Sequence, residues 1–348
     1  MIRKLIIDNL KSIRHLEMEC ENINLLIGTN SSGKSSIIQG LLFLKQNNNK
    51  PVGLNGELMS LGTFGENKCA YSDGKEISVS IEDQMENSWQ MRLFYSSDEM
   101  NIERPDDDER TKMPDIQYLS CHRIGPRNVY KKDMGIDGKT IGINGEYAIA
   151  YLNDRSTDLL EERLCRDLHN LTLAGQLNWW LKYIVGAEIS TEEITGADLV
   201  KASYTMNDRK GIRPANIGSG ISYLISVLVM CLASSDGDVL LIENPEIHLH
   251  PSAQAKVCEF LDFIACAGRQ LFIESHSDHI FNGFRVGITT GTMDPEKINL
   301  QFFKLNEEHV TEAIRVRIGR MGRIENFQKD LFDQFDLDMN RMIGVRGV

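Results

Sequence analysis

The segment Gly28-Thr29-Asn30-Ser31-Ser32-Gly33-Lys34-Ser35 follows the apolar run Ile23-Asn24-Leu25-Leu26-Ile27 and precedes Ile37, Ile38, Leu41, Leu42 and Leu44. The run before it predicts a buried strand, and the three-to-four spacing after it predicts a helix that ends near Gln46–Pro51. A G-x-x-x-x-G-K-[ST] sequence between a strand and a helix is a phosphate loop. Gly28 and Gly33 permit its sharp turns, so that successive N–H groups point into one concavity. Asn30, Ser31, Ser32 and Ser36 complete the cradle, and the helix adds its positive N-terminal end. Lys34 is expected to reach the outer phosphates of ATP, and the Ser35 hydroxyl to sit on Mg²⁺.

Outward from this loop, Lys4–Asp8 predicts a strand near a sheet edge. Glu76–Glu82 and Trp89–Phe94 alternate in polarity on either side of a polar break, the pattern of an antiparallel meander. Residues 97–113 are strongly acidic and predict an exposed loop. Leu159, Leu160, Leu164, Leu168, Leu171, Leu177, Trp180, Leu181 and Ile184 support helices between 156 and 185, but no heptad run persists. After Gly211 the order is helix (Ile221–Leu232), apolar strand (Val239–Ile242), helix (Ser252–Ala265) and strand (Gln270–Ile273). Such alternation builds a parallel sheet with covering helices. Strands return at Asn299–Leu305 and Val310–Arg317.

The 348 residues carry 38 Lys plus Arg against 50 Asp plus Glu, a net charge of −12. So acidic a surface repels nucleic acid unless basic groups gather in one place. The cluster Arg315, Arg317, Arg320 and Arg323 reads as solvated charge beside a strand. Apolar content of 41% is ordinary for a globular chain, no run of 18 apolar residues offers a membrane span, and Asp8-Asn9 interrupt the start too early for a secretion signal. Seven scattered cysteines without C-x-x-C spacing point to reduced thiols and a cytoplasmic location.

A phosphate-loop ATPase needs a second strand that delivers a carboxylate to the metal. Val239-Leu240-Leu241-Ile242-Glu243 ends four apolar residues with an acid, at the strand end where ligands bind in such sheets. Glu243 is therefore the expected metal carboxylate beside Ser35. His248 and His250, near Glu246, alternate on one side of an extended stretch, yet lack a third convergent ligand for zinc.

Leu241–Pro251 resembles the acidic-strand segment of ABC-type, SMC-head-like bacterial ATPases. This group includes the ATPase part of the OLD (overcoming lysogenization defect) family and the ATPase subunits of Septu-like phage-defence systems. Asn9-Leu10-Lys11-Ser12-Ile13 resembles their N-terminal "NFKSF" strand. Asn216–Ser222 resembles their version of the ABC signature, and Glu274-Ser275-His276-Ser277 their switch-histidine segment. The tail from Arg317 to Gln334 looks like the C-terminal extension of one uncharacterised branch.

The resemblance implies an α/β phosphate-loop ABC-ATPase head with a mainly parallel core sheet, an antiparallel β subdomain and a helical insertion. Residues 1–150 would form an N-terminal lobe, 151–210 the insertion, and 211–348 a C-terminal lobe with the signature, the acidic strand, the switch histidine and the tail. It also implies a homodimer with ATP sandwiched between the phosphate loop of one copy and Gly218, Ser219 and Gly220 of the other. A helix opened by small residues is a ready anion site. His276 would contact the γ-phosphate, and Arg123 and Arg127 would lie near the nucleotide.

Two departures qualify the match. Related heads usually place a catalytic glutamate directly after the metal acid, where this chain has Asn244. An amide cannot take a proton from water, so slow hydrolysis is expected unless Glu246 or His276 serves as base. Pro245 is expected to turn Glu246 elsewhere. No acidic cluster of a Toprim nuclease follows His279, so the chain reads as an ATPase head that controls a separately encoded effector, in phage defence by analogy. A DNA-processing ATPase and a slowly hydrolysing nucleotide-sensing scaffold are the competing readings.

Overall fold

The computed structural model describes residues 1–96, 99–103, 112–135 and 140–343. In chain order, β1 (Ile2–Leu10), β2 (Ile13–Glu19) and β3 (Ile23–Gly28) lead into α1 (Lys34–Asn47) and α2 (Phe64–Asn67). Strands β4 (Glu76–Asp83), β5 (Ser88–Ser96), β6 (Glu99–Glu103), β7 (Ile116–Leu119) and β8 (Tyr130–Lys131) follow, then α3 (Ala148–Asp154) and α4 (Leu173–Val185). Next come β9 (Ala187–Glu193), β10 (Leu199–Met206), β11 (Arg209–Ile212), α5 (Ser219–Ala233), β12 (Val239–Glu243), α6 (Pro251–Cys266) and β13 (Gln270–Glu274). The chain closes with α7 (Asp278–Thr290), β14 (Ile298–Leu305), β15 (Thr311–Arg315) and α8 (Gln334–Met342).

Six strands form the central sheet in the order β15-β14-β3-β13-β12-β7. All are parallel to their neighbours except β15, which pairs antiparallel with β14. Because helices or a second sheet cover both faces, the inner strands read as continuous apolar runs. Alternate residues serve opposite cores. Leu25, Ile27, Leu240, Ile242, Leu271 and Ile273 pack beneath α5, α6 and α7. Leu26, Val239, Leu241 and Phe272 pack on the other side with Ile37, Ile38 and Leu41 of α1. That second core also takes Leu5 and Ile7 of β1 and Val79 and Ile81 of β4, so α1 lies between the parallel sheet and an antiparallel one. The antiparallel sheet runs β2-β1-β4-β5-β6.

β1 lies near a sheet edge as expected, second from it with β2 outside and β4 inside. Two sequence expectations change. Within the acidic stretch 97–113, Glu99–Glu103 extends the meander by pairing with β5, while 97–98 and 104–111 lie outside the described residues. The helices expected from 156 onward are confined to a 3-10 turn at Glu162–Leu164 and to α4. The preceding loop is held instead by the buried side chain of Gln176. Its amide oxygen accepts from the N–H groups of Arg166 and Asp167, and its nitrogen donates to the carbonyls of Asp167 and Asn170. These tertiary bonds replace a helical ladder, and Leu159 and Leu168 are left exposed.

The segment 151–210 also carries β9 and β10, which pair antiparallel. Ala187 and Ile189 on one, and Val200, Ala202 and Tyr204 on the other, alternate into the core around α4.

Candidate functional site

β3 delivers the phosphate loop to the C-terminal edge of the central sheet. Gly28 has φ +143°, and a Cβ there would lie 2.0 Å from the carbonyl oxygen of Phe303 in β14, so only glycine lets the chain leave the strand at this point. α1 starts at Lys34 with Gly33 as its N-cap, and no side chain caps it. The N–H groups of Asn30, Ser31, Ser32 and Gly33 donate to no other group among the described residues. Four open donors at an uncapped helix N-terminus make a cradle for anionic oxygens.

The groove over this loop has a volume of ≈ 510 Å³ and is lined by Asn30 to Ser36 together with Lys11, Ser12, Gln39, Glu274 and His276. Lys34 is folded back onto its own loop, donating to the carbonyls of Gly28 (3.1 Å) and Thr29 (2.7 Å). Burial lowers its pKa, with Glu274 opposing. Lys11, from the turn between β1 and β2, donates to Gln39 Oε1 at 2.7 Å and brings a second cation to the rim. The donor set of open amides, two ammonium groups and a hydroxyl suits a polyphosphate.

The carboxylate in contact with Ser35 is Glu274, not Glu243. Ser35 Oγ donates to Glu274 Oε1 at 2.9 Å. Glu243 is turned toward β7, where Oε1 accepts from the Tyr118 hydroxyl and Oε2 from the Cys121 N–H, each at 3.0 Å. The expected Ser35–Glu243 pair is therefore not in contact. The reason is topological: β13 lies between β3 and β12, so its terminal residue sits one strand nearer the loop. Glu274 is 5% exposed, and burial pushes its carboxyl above the ordinary glutamate range. The resemblance placed Glu274 in the switch-histidine segment without giving it a role, and the acid that closes the apolar strand Gln270–Ile273 was the available signal.

In the turn after β12, Asn244 adopts a left-handed φ of 45°, and its N–H donates to the Glu274 carbonyl at 2.7 Å. Glu246 does not line the phosphate-loop groove. Glu246 is buried, and its Oε1 accepts from the Ser275 hydroxyl (2.7 Å) and the His276 N–H (3.3 Å). Burial raises the Glu246 carboxyl, and the Ser275 hydroxyl opposes the shift. His276 is exposed, with Nε2 3.8 Å from Glu274 Oε1, and partial desolvation followed by Lys34 lowers its pKa. Asn244 Oδ1, Glu246 Oε2 and Glu274 Oε2 are buried without a hydrogen-bond partner in the protein. Three orphaned oxygens along one sheet edge fit a site that a cation, water or phosphate completes. No group of three His, Cys, Asp or Glu side chains arranged to hold a metal by itself occurs among the described residues, so a cation here would share its coordination with phosphate.

Arg123 and Arg127 separate in role. Arg123 is buried and bridges the acidic-strand turn, its Nη1 donating to the carbonyls of Glu243 (2.6 Å) and Ser120 (3.2 Å) and its Nη2 to that of Asn244. Arg127 is exposed, and among the described residues only its backbone N–H is engaged, by Tyr130 Oη. His250 caps α6 by accepting from the Ser252 N–H, and His248 packs on the Tyr223 ring. Gly218 and Ser219, exposed at the N-terminus of α5, do not line the phosphate-loop groove of their own chain. Gly220 packs on the turn after β12, where a Cβ would lie 2.4 Å from the His248 carbonyl oxygen.

Among solved structures the chain is similar to an Smc head bound to the C-winged helix domain of ScpA, with a TM-score of 0.62 and 13% identity over 91% of this chain and 98% of that one. It is also similar to the SMC head domain from Thermotoga maritima (TM-score 0.51, 13% identity, 91% and 99% covered). A Smc head with an extended coiled coil, bound to the C-terminal domain of ScpA derived from Pyrococcus furiosus, gives a TM-score of 0.59 and 13% identity, with 98% and 99% covered. The chain thus has the phosphate-loop, ABC-like fold of SMC heads. No helix among the described residues is long and apolar enough to cross a membrane. No curated protein matches the sequence. Residues 293–342 match a family described as a protein of unknown function, DUF3696. Residues 1–128 and 172–281, more than half of the sequence, match the family described as the AAA ATPase domain, and the chain belongs to that family.

Proposed function

We propose that this chain is a cytoplasmic ATP switch. It binds ATP with Mg²⁺ in the phosphate-loop groove, closes as a homodimer around the nucleotide, hydrolyses it slowly and thereby controls a separately encoded effector. The observation that carries the reading is the phosphate cradle itself, with four unengaged N–H groups beside Lys34 and Ser35. On nucleotide binding, Lys34 exchanges the Gly28 and Thr29 carbonyls for phosphate oxygens. A magnesium ion bound with the nucleotide neutralises charge on the phosphates. Glu274 and Glu243 end the neighbouring strands on the cation side, and the Ser35 hydroxyl faces the first of them.

The sandwich is supported by the separation of the two half-sites within one chain. Gly218 and Ser219 are exposed at an uncapped helix N-terminus, away from the chain's own groove. A second copy would bring that helix end to the phosphates. Slow turnover follows from Asn244, whose amide offers no base, while Glu246 is engaged by Ser275 and His276. The division into lobes 1–150 and 211–348 around 151–210 belongs to the same reading, as does the effector, whose place in phage defence rests on resemblance alone. The net charge of −12 argues against nucleic acid as a primary ligand.

Ser219→Arg tests the reading. The variant should bind ATP as a single protomer as well as wild type does, because Ser219 is outside the groove. Its bulk should abolish ATP-dependent dimerisation measured by light scattering. Equal nucleotide-dependent closure in both proteins removes the sandwich.

A further inference from the structure

The hairpin β14–β15 holds the phosphate loop from behind, and it lies within 293–342, outside the stretches that match the ATPase family. The two ends of the loop mark its two points of contact. Beside Gly28 the neighbour is β14, where the Phe303 carbonyl accepts from the Thr29 N–H at 3.2 Å. Beside Gly33 the neighbour is Thr311, the first residue of β15. A Cβ at position 33 would lie 2.5 Å from Thr311 Oγ1, so this glycine serves a close approach as well as its φ of +100°. Thr311 is buried, and its N–H donates to the Ser12 carbonyl at 2.8 Å. Its hydroxyl donates to the Ser32 carbonyl at 3.0 Å. The Ser12 hydroxyl lies 2.7 Å from the same Oγ1, and because a hydroxyl has one proton, Ser12 is the donor in that pair. The turn before Thr311 is closed by Asn306, whose Oδ1 accepts from the N–H groups of Glu308 and Val310 at 3.0 Å each, which gives the anchor little freedom.

The Ser32 carbonyl and the Gly33 N–H belong to one planar trans peptide and point in opposite directions. Fastening that carbonyl to β15 therefore aims the Gly33 N–H away from β15. Gly33 lines the groove and Thr311 does not, and the Gly33 N–H is one of the four open donors of the cradle. From this geometry we infer that Thr311 is a positioning residue for nucleotide binding. Through the hydroxyl chain from Ser12 to Thr311 to the Ser32 carbonyl, the C-terminal hairpin sets the orientation of the Ser32–Gly33 peptide. The inference rests on the reading of residues 28–35 as an ATP-binding loop. It adds to that site a side chain 279 residues from Ser32 in sequence. Energetic coupling is reciprocal, so a nucleotide that fixes the loop also steadies Thr311.

The test uses the full chain and ATP in excess EDTA, so that neither metal nor hydrolysis enters. Thr311→Val keeps the shape of the side chain and removes its hydroxyl. Loss of one net hydrogen bond should weaken ATP affinity about 2- to 12-fold by calorimetry. Thr311→Ser restores the hydroxyl and should recover most of the loss. Val316→Ala removes buried bulk just beyond β15 but leaves the hydroxyl in place, and it should bind ATP as wild type does. Hydrogen exchange of the wild type gives a readout that stands even where Thr311→Val fails to fold. By reciprocity ATP should slow exchange of the Thr311 amide by about the same factor, although Thr311 does not line the groove. Wild-type affinity in Thr311→Val, an equal loss in Val316→Ala, or an unslowed Thr311 amide overturns the assignment and leaves the phosphate loop in place. A wild-type protein that binds no ATP overturns the phosphate-loop reading and this inference with it.

Discussion

Replacing Arg123 with methionine should destabilise the protein and slow hydrolysis while sparing nucleotide binding. Arg123 is 4% exposed and places its guanidinium under the turn after β12, with donors on the carbonyls of Ser120, Glu243 and Asn244. Hydrogen bonds from a charged donor contribute about 1.5–3 kcal/mol each, so the three are together worth roughly 5–9 kcal/mol. Burying the guanidinium opposes this. Burial lowers its pKa to about 10, well below the ordinary arginine range, which corresponds to a penalty of about 3 kcal/mol. The net loss in Arg123→Met is therefore about 2–6 kcal/mol, in the range seen when one member of a buried polar network is removed. Methionine fills most of the volume, so the loss reflects unpaired carbonyls rather than a cavity. Urea unfolding at pH 7 gives the stability change from the shift in midpoint. Arg123 does not line the groove, so calorimetric affinity for ATP without hydrolysis should stay within about threefold. The turn it holds carries Asn244 and Glu246, and phosphate release should fall at least tenfold, as for a misplaced catalytic segment. Arg123→Lys keeps the charge but loses the fork and should recover only part of both effects. A stability change below about 0.5 kcal/mol, the size of an ordinary surface substitution, would refute the role assigned to these bonds.

Lys34→Ala removes a charged donor to phosphate and should lower ATP·Mg affinity about 10- to 150-fold by calorimetry; unchanged affinity would displace the phosphate loop from its role. Asn244→Glu supplies a carboxylate after the acidic strand and should raise phosphate release at least tenfold if a base is missing, since a positioned base contributes about 10²–10⁴-fold. No increase, together with an inactive Glu246→Gln, would make Glu246 the base instead. Glu246 also predicts a pH dependence. Its folded-state pKa is raised, so its contribution to stability is fully present below the ordinary glutamate value and is lost as pH rises through the raised one. Thermal midpoints of the nucleotide-free protein followed upward from pH 4 should fall more steeply in wild type than in Glu246→Gln; parallel curves would show that this carboxyl is not strained by burial.

What the sequence determined by itself was everything encoded in short-range pattern. The strand–loop–helix around Lys34 follows from an apolar run, two glycines and a helical period, all within 25 residues. β4 and β5 follow from alternation, and α5 through β13 from apolar runs separated by amphipathic helices. What tertiary structure decided was which of several suitable side chains meet. Two glutamates end apolar strands, and only the strand order β3-β13-β12 sets Glu274, rather than Glu243, against Ser35. Arg123 and Arg127 were expected together near the nucleotide, but the sheet places β7 beside β12 and buries the Arg123 guanidinium under a turn 120 residues away. The loop before α4 has leucines enough for a helix, yet the buried amide of Gln176 satisfies its backbone and leaves two of those leucines in water. In each case the deciding contact joins residues on different elements, and local periodicity carries no information about which side chain a neighbouring element will present.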